Sequence, residues 1–240
     1  MGERISENPP PPFEQKPEEE KREGESFEER LRLWREKVAE ITDTLGHGID
    51  KEIRETVAVL NAGGFPTLGS CEGHLDWGLA VPWVEIGYAE QPPRYENENQ
   101  IYAEVARQFN LSAEQVREGA SREAFLAAQQ KLEQQPETQA WREWVERNRT
   151  LLTRMLRLLR AYHAERGKVP EEAKINIQGS AEGVFRLFCG TPAEIVPPEV
   201  RKIQKLPEPP QPSADLLARR QAEMKRFTDF LAKHWAKEQK

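Results

Sequence analysis

Asn61-Ala62-Gly63-Gly64-Phe65-Pro66-Thr67-Leu68-Gly69-Ser70-Cys71-Glu72-Gly73-His74 is the stretch where a helix must stop and a strand begin. Two glycines in a row tolerate the left-handed geometry that closes a helix, and Phe65 to Ser70 then reads as a short strand. Upstream, Ile53, Val57 and Leu60 recur at helical spacing, and Asp50 stands at the expected N-cap. Downstream, Pro82-Trp83-Val84-Glu85-Ile86-Gly87-Tyr88 alternates and predicts a second strand. A loop rich in polar groups lies between the two strands.

The rest of the chain arranges itself around this core. Ser26-Phe27-Glu28-Glu29 has the form of a capping box, and the helix behind it carries Leu31, Trp34, Val38, Ile41 and Leu45 on one stripe. That helix is predicted to run up to Gly46-His47-Gly48. Residues 97–166 read as a helical insertion, with segments at 97–109, 112–118 and 121–134 and a long helix over 137–165. The near-heptad recurrence of Trp141, Trp144, Val145, Leu152, Met155, Leu159 and Tyr162 suits a helical hairpin or a coiled-coil seam. Lys174 to Gln178 and Val184 to Cys189 predict two more strands, joined by a Gly179–Gly183 hairpin loop. Residues 213–236 predict an amphipathic helix with Leu216, Leu217, Met224, Phe227, Leu231 and Trp235.

The fold class expected is therefore α+β: a small sheet of about four strands with packed helices, interrupted by the helical insertion. Residues 1–25 contain Pro9 to Pro12 and twice as many acids as bases. With so little apolar surface they read as a disordered tail. The α+β domain spans 26–196, a proline-rich linker spans 197–212, and the C-terminal helix occupies 213–240.

Charge and composition narrow the function classes. A net charge of −6 over 240 residues argues against a broadly basic nucleic-acid binder. No apolar run reaches the ~18 residues of a membrane span, and the N-terminus lacks the apolar core of a signal peptide. Two cysteines are too few for a disulfide framework. A cytoplasmic protein is expected, with no membrane partner.

The loop Gly69-Ser70-Cys71-Glu72-Gly73-His74-Leu75-Asp76-Trp77 gathers a thiol, an imidazole and two carboxylates. Three readings share these residues. Cys71 and His74, two residues apart, have a spacing that suits one metal ion such as zinc. Glu72 and Asp76 would add oxygen ligands, and His47, Asp50 and Cys189 are candidates from elsewhere. Cys189 joins the set if its strand pairs next to the one leading to Cys71. In the second reading Cys71 is a nucleophile whose thiolate His74 stabilises. In the third the loop binds a ligand: Gly69 and Gly73 let the backbone approach, while Glu72, His74 and Asp76 fix its polar groups. Against all three stands a plain structural corner, with Cys71 a small buried residue at a strand end.

Gly48-Ile49-Asp50, Ile53, Val57, Leu60-Asn61, Thr67, Ser70-Cys71-Glu72-Gly73-His74 and Pro82-Trp83-Val84 resemble the helix, S-C-E-G-H loop and P-W-V strand of a group of uncharacterised bacterial proteins. The same stretch is more distantly similar to the tRNA wybutosine-synthesis methyltransferase family. The matching positions are Asp50, Ile53, Val57, Asn61, Thr67, Ser70, Cys71 and Gly73, while His74 replaces an arginine and Glu72 a serine. That resemblance implies S-adenosylmethionine as a cofactor and a tRNA substrate.

The first expectation is a pocket acting on RNA or a nucleotide-like ligand. Cys71, Glu72, His74 and Asp76 carry its chemistry. Asp50, Asn61, Ser70, Gly73, Trp77 and Trp83 hold the ligand, the tryptophans by stacking. The rival is a non-enzymatic interaction protein that forms a homo-oligomer through helices 137–165 or 213–236. An excess of arginine along 137–166 would also suit an RNA backbone.

Overall fold

The computed structural model describes residues 25–42, 46–76, 79–180, 182–196, 201 and 209–238. Residues 1–24 of the predicted tail, most of the predicted linker, Leu45 and Trp77 lie outside the described residues. Helices α1 (Phe27–Glu40) and α2 (Lys51–Ala62) precede strands β1 (Thr67–Cys71) and β2 (Trp83–Ile86). Helices α3 (Glu98–Phe109), α4 (Ala113–Arg117), α5 (Arg122–Glu133) and α6 (Gln139–Arg166) come next. Strands β3 (Ile175–Gly179) and β4 (Phe185–Cys189), short α7 (Pro192–Ile195) and long α8 (Ala214–Glu238) complete an α+β fold.

The Ser26 capping box forms as predicted: the Ser26 amide donates to Glu29 Oε2 at 2.8 Å and the Glu29 amide to Ser26 Oγ at 3.2 Å. The helix behind it is shorter than its apolar stripe suggested. Ile41 is already extended, and Thr42 pairs with Gly48 in an isolated antiparallel bridge. Ile41 and Thr42 are both β-branched and lose side-chain freedom in a helix, so a stripe that reaches Ile41 need not carry the helix with it.

The sheet is antiparallel throughout, in the order β1-β2-β4-β3. Its alternation sends Val84, Ile86, Phe185, Leu187 and Ile175 into one core. Helices cover that face. Phe27, Leu31 and Val38 come from α1, Ile53, Val57 and Leu60 from α2, and Leu151, Met155, Leu159 and Tyr162 from α6. Met224, Phe227, Leu231 and Trp235 come from α8. Of the apolar residues read as a seam in 137–165 and 213–236, Met155, Leu159, Tyr162, Met224, Phe227, Leu231 and Trp235 join this core, and Leu152 packs against it.

Buried ionic groups fix α8. The Arg220 side chain is fully buried and pairs with Glu194 at 2.7 Å. It also donates to the carbonyls of Glu172 and Ala80, each at 2.7 Å. Glu223, nearly as buried, accepts from Tyr162 Oη at 2.5 Å and pairs with Arg166 and Arg226, both at 3.2 Å. Burial, and then the Glu223 hydrogen bond, push the Tyr162 hydroxyl well above its ordinary value. These pairings compensate both buried charges, which is the condition for burying them at all.

The described residues divide into two compact units, one drawn from 25–89 and 148–238 and the other 90–147. The predicted insertion therefore ends earlier than expected. Residues 148–166 of α6 belong with the sheet. The smaller unit packs α3, α4 and α5 around Ile101, Tyr102, Val105, Val116, Ala128 and Leu132.

Candidate metal centre

Two element lengths bring the candidate residues together. Helix α2 has 12 residues, about 18 Å of rise, and β1 has five, about 17 Å. The chain reverses at Gly63 and Gly64, so the start of α2 and the end of β1 reach the same level. Asp50 thus meets Cys71 across a sequence separation of 21, taken as 71 − 50.

Asp50 does occupy the N-cap position of α2, but its side chain makes no cap hydrogen bond. Its Oδ2 instead accepts from the Glu72 amide at 3.1 Å and lies 3.3 Å from His74 Nε2. The cap comes from across the corner: Glu72 Oε2 accepts from the Glu52 amide at 2.9 Å. The two acids have exchanged roles. Glu72 closes the helix that Asp50 begins, and Asp50 holds the loop that Glu72 begins.

The Cys71 sulfur accepts from the Gly73 amide at 3.3 Å. Gly73 has φ +85°, and a Cβ there would come within 2.8 Å of Leu217 Cδ1 and 3.1 Å of the Pro82 nitrogen. Only glycine fits both the conformation and the space. The loop is tied further by the His74 amide on the Leu79 carbonyl at 3.0 Å and by Gln221 Nε2 on the Glu72 carbonyl at 3.1 Å. Gln221 and Leu217 belong to α8, and sequence reasoning missed both as parts of the site. The available signal was a polar residue set into the apolar stripe Leu217, Gln221, Met224.

The donor atoms of Asp50, Cys71 and His74 all lie within 4.8 Å of one another. Cys71 is 8% exposed, and the side chains of His74 and Asp50 are 17% and 29% exposed. Burial pushes the Cys71 thiol up. The Gly73 amide opposes this, but the charges of Asp50 and Glu72 and a hydrogen bond to Asp50 add to it. A bare thiolate is therefore disfavoured here. The Asp50 carboxylate is a neighbour of the imidazole at 3.3 Å, and thiol, imidazole and carboxylate share one corner.

The remaining predicted site residues are placed elsewhere. Asp76 is exposed and outside the cluster. Ser70 lies within β1, paired with Val84. Trp83, opposite Cys71 on β2, is half-buried with the Arg186 guanidinium 4.2 Å from its ring centre, so that ring face is already covered. Asn61 sits at the far end of α2, where its Nδ2 donates to the Val57 carbonyl and to Thr67 Oγ1, each at 2.8 Å. It fastens the start of β1 rather than the loop. His47 is exposed and not in the cluster. Cys189 is not a neighbour of Cys71, because β2 separates their strands; its thiol donates to the Ala173 carbonyl at 2.8 Å. Of the arginines on α6, Arg154 lies over the Phe65 ring and Arg166 pairs with Glu223.

The donor set has a definite chemical character. Sulfur, imidazole nitrogen and carboxylate oxygen together suit zinc and its neighbours, whereas calcium and magnesium take oxygen. Tetrahedral zinc with bonds of about 2.0–2.3 Å places its donors about 3.3–3.8 Å apart. The His74–Asp50 separation of 3.3 Å already meets that requirement. No protein-family model, no curated protein and no solved structure matches the chain.

Proposed function

We propose that Asp50, Cys71 and His74 bind one divalent transition metal of the zinc class, leaving a fourth position for water or a substrate atom. The observation that carries this reading is the convergence of three unlike donors, from two elements, within 4.8 Å. The electrostatics of the corner agree. Two carboxylates beside a buried sulfur disfavour a free thiolate, and the same negative field attracts a cation. Closed structural zinc sites use four protein ligands, while catalytic ones use three and keep a water. Held there, such a metal would acidify a bound water toward neutrality, chemistry that suits hydrolysis of an ester or amide bond.

The test is zinc titration of the metal-depleted full-length protein, beside Cys71→Ser, His74→Ala and Asp50→Asn. The expected result is one equivalent bound by the wild-type chain and no stoichiometric uptake by any variant. Wild-type protein that takes up no zinc, or variants that bind like it, would overturn the reading.

A further inference from the structure

One peptide unit in the loop is held from both sides. Its carbonyl, on Glu72, accepts from Gln221 Nε2 at 3.1 Å. Its amide, on Gly73, donates to Cys71 Sγ at 3.3 Å. A trans peptide is a rigid plane whose C=O and N–H point in opposite directions, so fixing the carbonyl fixes the aim of the amide. The positive φ of Gly73 lets the chain continue from that plane toward His74. Leu217, one turn before Gln221 on α8, fills the space next to Gly73 and keeps the plane from moving toward the helix.

We infer that Gln221 is a positioning residue of the metal site, acting through the Glu72–Gly73 peptide to aim an N–H donor at the sulfur ligand. The inference rests on the metal reading above. A donor on a thiolate ligand draws off part of its charge, which matters most where Asp50 and Glu72 crowd the sulfur with negative charge. Partners of this kind, one step removed from the metal, typically change affinity by about 10- to 100-fold when lost. Gln221 lies 150 residues beyond Cys71, taken as 221 − 71. The C-terminal helix therefore contributes to a site whose ligands all come from the N-terminal part of the chain.

The probe is cobalt(II), added to full-length protein, because its sulfur-to-metal charge-transfer band reports the cobalt–sulfur bond directly. Gln221→Leu removes the donor, and Gln221→Met does so while keeping the side-chain length in case the leucine variant folds poorly. The expected result is a shifted charge-transfer band and cobalt affinity weakened by about tenfold, with the unfolding midpoint of the metal-free protein nearly unchanged. A wild-type protein with no sulfur band overturns the metal reading and this inference with it. A normal wild-type band that both variants reproduce, at wild-type affinity, overturns this inference alone.

Discussion

Replacing Gly73 by alanine separates two costs that usually arrive together. The residue sits at φ +85°, and an L-residue held in the left-handed region pays about 1–2 kcal/mol. The new methyl would also lie 2.8 Å from Leu217 Cδ1, 3.1 Å from the Pro82 nitrogen and 3.1 Å from the Val81 carbonyl carbon. The leucine tip can turn aside, but the Val81–Pro82 backbone is held, since the neighbouring Ala80 carbonyl is bound to Arg220. Overpacking of this kind costs about 1–3 kcal/mol. Loss of glycine's freedom in the unfolded chain returns about 0.4–1 kcal/mol, so Gly73→Ala should destabilise by about 1–4.5 kcal/mol. Gly64 is the internal control. It has φ +76°, and a methyl added there would meet nothing within 4 Å. Gly64→Ala therefore carries the conformational cost alone, about 0–1.5 kcal/mol net. Urea unfolding of both variants at equal slope gives the difference. Equal losses at the two positions would refute the claim that α8 and the Val81–Pro82 backbone enclose the loop.

Two further outcomes concern the core and the division of the chain. Burial, together with the charges of Glu223 and Glu194, raises the Cys189 thiol well above its usual range, with Arg220 opposing. The folded protein therefore keeps a proton that the unfolded chain releases above about pH 8.5, and this contribution to stability is lost as pH rises from there by about 1.4 kcal/mol per pH unit. Urea unfolding between about pH 8 and 9.5 should show a shallower decline in Cys189→Ala than in the wild type; identical slopes would contradict the burial argument. The Tyr88 amide donates to Asn148 Oδ1 at 3.0 Å, so the larger unit's chain leaves and re-enters at neighbouring points. Exchanging residues 90–147 for a short Gly-Ser connector should leave a cooperatively unfolding protein by circular dichroism. Removal of 97–166 should abolish folding, because it takes away Leu151, Met155, Leu159 and Tyr162. A 90–147 replacement without a cooperative transition would count against the division.

Local chemistry made much of this fold readable in advance. The Ser26 box, the Gly63-Gly64 stop and the alternation of Trp83 to Ile86 each act over a few residues, and each appears where its signal lies. What periodicity could not supply was the owner of an apolar stripe. The stripes of α6 and α8 look the same whether a second copy or the chain's own sheet covers them, and here Met155, Leu159 and Tyr162 of α6 and Met224, Phe227, Leu231 and Trp235 of α8 lie in the sheet's core. The loop was legible as a cluster of chemical groups, and Asp50 was legible as a helix start. The exchange of partners between Asp50 and Glu72 was not, because it depends on α2 and β1 having equal lengths. Gln221 lay further still beyond reach, since only tertiary packing brings α8 to the loop.

The Glu72 carboxylate on the Glu52 amide has a consequence for motion. A helix normally frays from its ends independently of the segments beyond it, but the first turn of α2 is closed by a residue that arrives only after β1 is laid down. Opening the loop strips the helix of its closure, and unwinding the helix end releases the loop. Such reciprocal dependence makes the two segments one cooperative opening unit. The Glu52 amide then exchanges its hydrogen with solvent on the schedule of the loop, not on that of the helix to which it belongs.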